Sequence, residues 1–355
     1  MQRDRRRIWL LAVSLVFAVA IIVGLSVFEN ILEEEEEQRA LLDIPHGWKV
    51  LLRGDNFMAM VDQGDLVWAG GRNGVYKIDR RKAELIERIE FSDEVTYVTS
   101  LLIDNNDMLW VSYENGLVTW DGKEFNYYNT ETGLPDNRAN FVTQDSNGNV
   151  WVGTWGGAAF YDGNAWQTIS TEDGLSVSMV NVILEDSFGN FWFGAYNMKG
   201  GAISILMADG SWQYFSMENG LPNDNVTGFL ELEKGSIWVG TGFYNRGGAA
   251  ILSYEEGKYH IKNILKKKDG LAGEKVRSLY QDNLGNIWFG SEFDGIAIMN
   301  ESNMAILTED EGLSHNEVLS ILQVTDGDMW LGTLDGITII EYDLVKKIHV
   351  ERKEK

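Results

Sequence analysis

The chain has 355 residues, a formal net charge of −24 and no cysteine. The acidic balance argues against non-specific nucleic-acid binding, which depends on cations that neutralise phosphates. The lack of cysteine excludes disulfides, thiolate metal sites and cysteine nucleophiles.

The N-terminus predicts a membrane anchor. Residues 1–7, MQRDRRR, precede residues 8–28, which carry no charged side chain. A helix of this length, at about 1.5 Å per residue, spans one bilayer. The arginines predict that residues 1–7 form a cytoplasmic tail and that the rest is exported. We expect an uncleaved signal anchor at residues 8–28. A signal peptide cleaved after small residues such as Gly24 is the alternative.

Residues 29–44 are acidic and include the run Glu33–Glu37. They predict a charged stalk that holds the following domain away from the membrane. Residues 45–355 then form an ectodomain on the periplasmic or extracellular side of the cell membrane.

A tryptophan recurs in one context along this ectodomain. Around each copy the pattern is an apolar residue, Trp, an apolar residue and Gly, with Ser112 in place of Gly in the second copy. The seven copies are Trp68, Trp110, Trp151, Trp192, Trp238, Trp288 and Trp330. Self-similarity with a period of roughly 40 residues is the signature of a repeat architecture.

A Gly-Leu pair precedes five of these tryptophans at a constant distance of 18 residues. The glycines are Gly133, Gly174, Gly220, Gly270 and Gly312. Glycine tolerates a positive φ, so the pair predicts a turn followed by an apolar anchor.

Within one repeat, short β-branched and aromatic runs alternate with turn residues. Residues 139–170 read as four strands, which we name a to d in chain order, joined by hairpin-sized turns. Four-stranded units at this period predict an all-β fold, a seven-bladed β-propeller, preceded by one N-terminal transmembrane helix. The recurrent Trp on strand b would fill the wedge between neighbouring blades.

Two segments could complete the ring by supplying the outer strand of blade 7. One is residues 344–350, LVKKIHV, and the other is residues 48–52, WKVLL. The second would bring the N-terminal end of the domain across the seam, and the sequence does not choose between them.

The segment GLPDNRANFVTQDSNGNVWVGTWGG, and its copy beginning at Gly270, resembles the two-component regulator propeller repeat of bacteria. The resemblance covers about residues 50–345 and is weak in the first two repeats. It implies an extracytoplasmic sensor domain that binds a ligand, often a carbohydrate, without catalysis. Sensors of this family continue into a kinase, so here a signal would pass through a membrane partner.

The turns between strands a and b contain Asp, Asn and Gly, as in DSFGN from Asp186. A calcium loop needs oxygen ligands at alternate positions, but Phe188 occupies one of them. These segments therefore predict tight turns rather than metal sites. The four histidines are scattered, and no phosphate loop or hydrolase motif is present. We expect no catalytic residues, no metal and no cofactor.

The connections between strands b and c vary, and this variation indicates a site. They are longest in blades 4 and 5, which share the tails YNMKGG and YNRGG. In propellers the b–c and d–a connections lie on one face. Aromatic rings beside amides and cations suit sugars. The candidate ligand-binding residues are Trp155, Tyr196, Asn197, Lys199, Tyr244, Asn245, Arg246 and Phe293.

A cluster of cations, Lys266–Lys268 with Lys275 and Arg277, is expected near this face. It suggests an anionic ligand, with local charge balance as the alternative. Three hypotheses follow for function: a ligand-binding sensor propeller, a protein–protein or assembly module at the cell surface, and a propeller lyase or hydrolase.

Overall fold

The computed structural model describes residues 44–196, 201–301 and 303–351. The described residues from Gly47 onward belong to one compact unit. Within the described residues, 28 strands form seven antiparallel sheets of four strands each. Strands a of successive sheets contact one another around a ring. The predicted seven-bladed propeller of four-stranded blades is therefore confirmed. The predicted transmembrane helix, at residues 8–28, lies outside the described residues.

The strands of blades 1 to 4 are consecutive in the chain. They are β2 (Phe57–Gln63), β3 (Leu66–Gly71), β4 (Gly74–Asp79) and β5 (Glu84–Arg88); β6 (Ser100–Ile103), β7 (Leu109–Tyr113), β8 (Gly116–Trp120) and β9 (Phe125–Tyr128); β10 (Ala139–Gln144), β11 (Val150–Thr154), β12 (Gly157–Tyr161) and β13 (Trp166–Ile169); β14 (Val180–Glu185), β15 (Phe191–Ala195), β16 (Ile203–Leu206) and β17 (Trp212–Phe215).

Blades 5 to 7 complete the ring. Their strands are β18 (Val226–Glu233), β19 (Ser236–Phe243), β20 (Arg246–Glu255) and β21 (Lys258–Leu265); β22 (Val276–Gln281), β23 (Ile287–Ser291), β24 (Ile296–Asn300) and β25 (Asn303–Leu307); β26 (Val318–Gln323), β27 (Met329–Thr333), β28 (Gly336–Ile340) and, from the start of the domain, β1 (Trp48–Leu51).

The strand-b tryptophans fill the wedges between blades, as predicted. All seven are at most 6% exposed. Trp151 of blade 3, for example, stacks on Phe191 of blade 4 with ring centroids 4.3 Å apart. Burying large aromatic rings against the next sheet removes apolar surface that a lone four-stranded blade would leave in water.

The glycine two residues after six of the seven tryptophans makes room for the next blade. A Cβ built on Gly153 would lie 2.9 Å from Val180 Cγ1 and 3.0 Å from the Val180 carbonyl oxygen, at the start of strand a of blade 4. Blade 2 has Ser112 in this position, and the first residue of the following strand a is Ala139 rather than valine. The Thr99 hydroxyl donates to the carbonyl oxygens of both Ser112 and Ala139. We therefore expect the smaller Ala139 to leave room for the larger Ser112.

The a–b turns are structural, as their sequence predicts. The Asp186 carboxylate is buried and accepts hydrogen bonds from the amides of Phe188 and Asn190. It also accepts a 2.8 Å bond from Trp192 Nε1. Asp104, Asp145 and Asp282 hold their own tryptophans in the same way. These carboxylates therefore satisfy the indole N–H groups of the core.

The same turns join neighbouring blades. The Ser146 and Ser187 hydroxyls, each in an a–b turn, donate to Glu185 and Glu231 at the ends of the next strands a. At the ring closure, Thr325 of blade 7 donates to Asp62 of blade 1. Part of the chain's acidic excess is therefore used in these seams.

Four of the five Gly-Leu pairs end short 3-10 helices in the d–a connections. Gly133, Gly220, Gly270 and Gly312 cap such turns with φ between 110° and 115°. The following leucines, Leu134, Leu175, Leu221, Leu271 and Leu313, are all at most 4% exposed. The predicted turn and apolar anchor are both confirmed.

Residues 48–51 close the ring. Strand β1 pairs antiparallel with β28, with Trp48 opposite Ile340 and Leu51 opposite Ile337. The other segment weighed for this role forms helix α1 (Tyr342–Glu351). Leu344, Val345 and Ile348 of α1 pack on the core of blades 6 and 7. These apolar residues have the spacing of one face of a helix rather than the alternation of a strand. No helix among the described residues has the length and apolar character to cross a bilayer.

Candidate functional site

The b–c turns and the d–a connections lie at the same end of the ring, which we call the b–c face. A recurrent backbone bond establishes this. The amides of Trp155, Tyr196 and Leu334, each in a b–c turn, donate to the carbonyl oxygens of Arg138, Met179 and Glu317, just before strand a of the same blade. The three turns therefore present their tip residues in equivalent positions.

Four of the predicted site residues are exposed aromatic side chains on this face. Trp155 is 36% exposed, Tyr196 41%, Tyr244 68% and Phe293 56%. They belong to the b–c connections of four consecutive blades, 3 to 6. Leu334, 38% exposed, continues the series in blade 7. These five residues are the apolar arc, whereas blades 1 and 2 have Arg72 and Glu114 in their b–c turns.

Tyr196 and Tyr244 are brought together through a third ring. Phe243 lies edge-on to Tyr196, with centroids 6.3 Å apart, and edge-on to Tyr244 at 4.4 Å. This pairing joins blades 4 and 5. The sequence reasoning missed Phe243, although it is adjacent to a residue that was selected.

The long b–c connection of blade 5 is an extended hairpin rather than an irregular loop. Strands β19 and β20 continue their pairing to Phe243 and Arg246, and Tyr244, with φ of 49°, lies in the tight turn with Asn245. Arg246 is therefore a strand residue. Because the strands project farther than those of other blades, Tyr244 is the most exposed member of the arc.

Two contacts fix the orientation of the Trp155 side chain. Its Nε1 donates to Asn140 Oδ1 at 3.1 Å, and the Arg138 guanidinium lies 3.9 Å from its ring centroid. Arg138 in turn bonds Asp136. Burial alone would raise the pKa of Asp136, but its bonds from Arg138 outweigh this and lower it. One ring face is thus taken by a cation, which the sequence reasoning missed.

The predicted basic cluster is largely paired. Lys267 Nζ lies 2.9 Å from Asp294 and Lys275 Nζ 2.8 Å from Glu292, while Arg277 Nε lies 3.8 Å from Glu317. Burial lowers the pKa of Lys275, and the Arg277 charge lowers it further. Burial also raises the pKa of Glu317. This pairing supports local charge balance and leaves less positive charge for an anionic ligand.

Two predicted site residues, Asn197 and Lys199, lie outside the described residues. Asn245, Arg246 and the four aromatic residues are described, and all lie in b–c connections. His315, one of the four histidines, accepts a hydrogen bond from the Glu317 amide on its Nδ1. Its position therefore has a local structural explanation.

The two component regulator propeller family model matches the chain at residues 133–156, 174–197, 220–243, 270–293 and 312–335. Each match runs from the glycine of a Gly-Leu pair to a b–c turn. No curated protein matches the sequence significantly.

Solved structures with this fold include the extracellular domain of BT3049 from B. thetaiotaomicron, assigned to a hybrid two component system. It is 19% identical with a TM-score of 0.72, covering 85% of this chain and 42% of that one. The extracellular domain of BT4673 from B. thetaiotaomicron is 17% identical with a TM-score of 0.66, covering 82% and 40%. This chain therefore spans about two fifths of those domains.

A catalytically inactive virginiamycin B lyase from Staphylococcus aureus, solved with quinupristin, is 14% identical with a TM-score of 0.65, covering 82% of this chain and 98% of that one. At such identities the likeness shows the fold alone, because one propeller fold serves unrelated functions. Five segments of the chain match the two component regulator propeller family model, and each supplies strands a and b of one blade, from blade 3 to blade 7 of the ring.

Proposed function

We propose that the protein is a sensor-type propeller that binds its ligand on the b–c face. One observation carries the proposal: four consecutive blades present exposed aromatic side chains from equivalent connections. Large aromatic residues are normally buried, so a set that is exposed on one face marks an interaction surface.

The chemistry of the arc suits a carbohydrate. Tyr196, Phe243 and Tyr244 supply ring faces and edges, and Asn245 and Arg246 supply an amide and a cation beside them. Sugar rings bind through apolar stacking combined with a few directed polar groups. Asn197 and Lys199, in the corresponding tail of blade 4, remain predicted members of this site.

The membrane setting forms part of the proposal. The extracellular domains that share the fold support an exported propeller, and the predicted anchor at residues 8–28 would hold it at the cell membrane. A signal would then pass to a membrane partner. Strand β1 begins at Trp48, opposite the last residue of β28, so the chain enters the ring at the end opposite the b–c face.

Substitution of the arc tests the proposal. The protein with Tyr196→Ala and Tyr244→Ala should lose binding on a glycan array by about tenfold or more, since buried aromatic contacts dominate such interfaces. Its melting temperature should change little, because both side chains are exposed. The control is Phe188→Ala, another exposed aromatic, which lies in the a–b turn at the other end of blade 4. Equal binding by both variants would reject the b–c face as the ligand site.

A second candidate function is the docking of a protein partner on the same face. The extension of the arc to Leu334 in blade 7 favours it, because an arc over five blades exceeds what one sugar ring covers. Crosslinking from membranes with a photoreactive group at position 334 distinguishes the two. A protein adduct that is lost in the Tyr196→Ala and Tyr244→Ala variant supports docking, and a glycan-array signal that depends on the same residues supports the sensor.

A further inference from the structure

A pair of cavities lies at the rim of the ring between blades 2 and 3. One cavity of about 480 Å³ lies between β9 of blade 2 and the c–d hairpin of blade 3, and Thr132 and Gly133 of the d–a connection also line it. A smaller one of about 230 Å³ extends toward the a–b turn of blade 2. Both are lined by Asn126, Tyr128 and Tyr161. We call these two adjoining cavities the seam cleft. The volume of the larger one is typical of small-ligand sites.

Four aromatic rings form one wall of the seam cleft. Tyr161 and Trp166 lie 5.3 Å apart by ring centroid, and Tyr128 lies 5.7 Å from both Trp166 and Trp110. At these distances the rings contact one another, so no cation fits among them as in an aromatic cage. The wall instead offers a surface on which a flat molecule can stack.

One polar group in this wall has no partner. Trp166 Nε1 is buried and has no acceptor among the described residues. The wedge tryptophans on either side of the seam differ, since Trp110 and Trp151 each donate to an aspartate at 2.8 Å. Trp330 Nε1 also has no partner, but it lines neither cavity. A buried N–H without an acceptor is costly, so a rotation of Trp166 that brings this group to a ligand oxygen in the cavity would be favoured.

The seam cleft is uncharged although the chain is rich in charge. The larger cavity has no ionisable acid or base other than tyrosines, and its polar groups include the amides of Asn126 and Asn164. The smaller has one carboxylate, Asp104. That group is already engaged by the Asn106 and Met108 amides and by Trp110. An ionic ligand would have no counter-charge, so the lining selects a neutral molecule.

From these contacts we propose that the seam cleft binds one ring of an uncharged, hydroxyl-bearing cyclic molecule, a pyranose of a neutral glycan. The apolar face of the ring stacks on Tyr161, and a small rotation of the Trp166 side chain lets its Nε1 donate to one of the sugar oxygens. This site goes beyond the proposed function, because it lies between blades 2 and 3 and shares no residue with the apolar arc.

Fluorine NMR of the full chain labelled with 5-fluorotryptophan tests the proposal. The Trp166 signal is identified by its loss in Trp166→Phe, and the probes are maltohexaose and cellohexaose. Either probe should shift the Trp166 signal saturably. Asn126→Phe, on the exposed shared wall, should weaken binding by about tenfold or more through steric block. The matched control Thr168→Phe, exposed on β13 outside the cleft, should leave it unchanged.

Two further variants keep the test decisive. Trp166→Phe keeps an aromatic wall but removes the N–H, and saturation-transfer NMR should show weaker probe binding. Trp155→Ala on the b–c face should not alter the shift of the Trp166 signal that the probe causes. That result would show that the seam cleft binds independently of the proposed sensor site. The proposal is overturned if neither probe shifts Trp166 at about 10 mM, if Asn126→Phe binds as well as the parent, or if tetragalacturonate binds more tightly than the neutral probes.

Discussion

The phenol of Tyr259, on the outer strand of blade 5, donates a 2.6 Å hydrogen bond to the carboxylate of Asp186 in the a–b turn of blade 4. The same carboxylate oxygen accepts from Trp192 Nε1. One buried aspartate therefore holds its own turn, its own wedge tryptophan and the neighbouring blade. Burial, followed by the bond and charge of Asp186, raises the pKa of Tyr259 well above its ordinary value.

Replacing Asp186 with alanine should destabilise the protein more than replacing Tyr259 with phenylalanine. Asp186→Ala leaves several buried donors without an acceptor and should cost about 3 kcal/mol or more. Tyr259→Phe removes one donor and should cost about 1–2 kcal/mol. Urea unfolding of both variants measures the difference. Equal losses would mean that the turn bonds of Asp186 contribute nothing beyond the bond to Tyr259.

Ser112 and Ala139 should be energetically coupled. Ala139→Val places two extra methyl groups at the seam that Ser112 already narrows, so it should cost about 1–3 kcal/mol through overpacking. In the Ser112→Gly background, which restores the usual glycine, the same change should cost less by about 1 kcal/mol. A double-mutant cycle measured by thermal or urea unfolding gives the coupling energy. Strict additivity would show that the two positions do not compensate for each other.

Strand β1 should contribute strongly to the stability of the whole ring. Leu51 packs on the core formed by blades 1 and 7, so Leu51→Asp should cost about 3 kcal/mol by burying a charge. Lys49→Ala, at an exposed position of the same strand, should change the free energy of unfolding by at most about 0.5 kcal/mol. The measurement is the urea midpoint and slope of each variant. Similar midpoints for the two would show that β1 is peripheral to the fold.

Alkaline pH should weaken the interaction between Tyr76 and Asp55. Burial, the hydrogen bond to Asp55 and the Asp55 charge raise the pKa of Tyr76 from 10.0 to about 12. The pKa of Tyr76 is higher in the folded protein than in the unfolded chain. The stability that the Tyr76–Asp55 interaction contributes is therefore complete below about pH 10 and is lost as the pH rises toward 12.

The variant Tyr76→Phe should therefore be less stable than the parent at neutral pH, and the gap should narrow above about pH 10. Urea unfolding at several pH values checks this. A gap that stays constant or widens in alkali would contradict the assigned pKa.

Much of the fold followed from local pattern. The Trp-Gly element, the Gly-Leu pair and the short alternating strands each depend on neighbours close in sequence, and each recurs. Repetition multiplies a weak local signal, so the blade count and the core tryptophans were predictable. The candidate site was predictable in part, because aligned b–c connections showed which blades depart from the repeat. Leu334 was also accessible in this way, since it occupies the same place as Trp155.

The sequence by itself determined a ring of seven four-stranded blades, because each blade repeats the same short-range sequence pattern. Only the tertiary structure decided that β1 rather than residues 344–350 closes the ring, that Phe243 joins Tyr196 to Tyr244, and that Trp166 keeps a buried N–H without an acceptor. These features depend on side chains from different blades. Their contacts are set by how neighbouring sheets pack. The residues involved are about 40 or more positions apart, so no local sequence pattern predicts which of them meet.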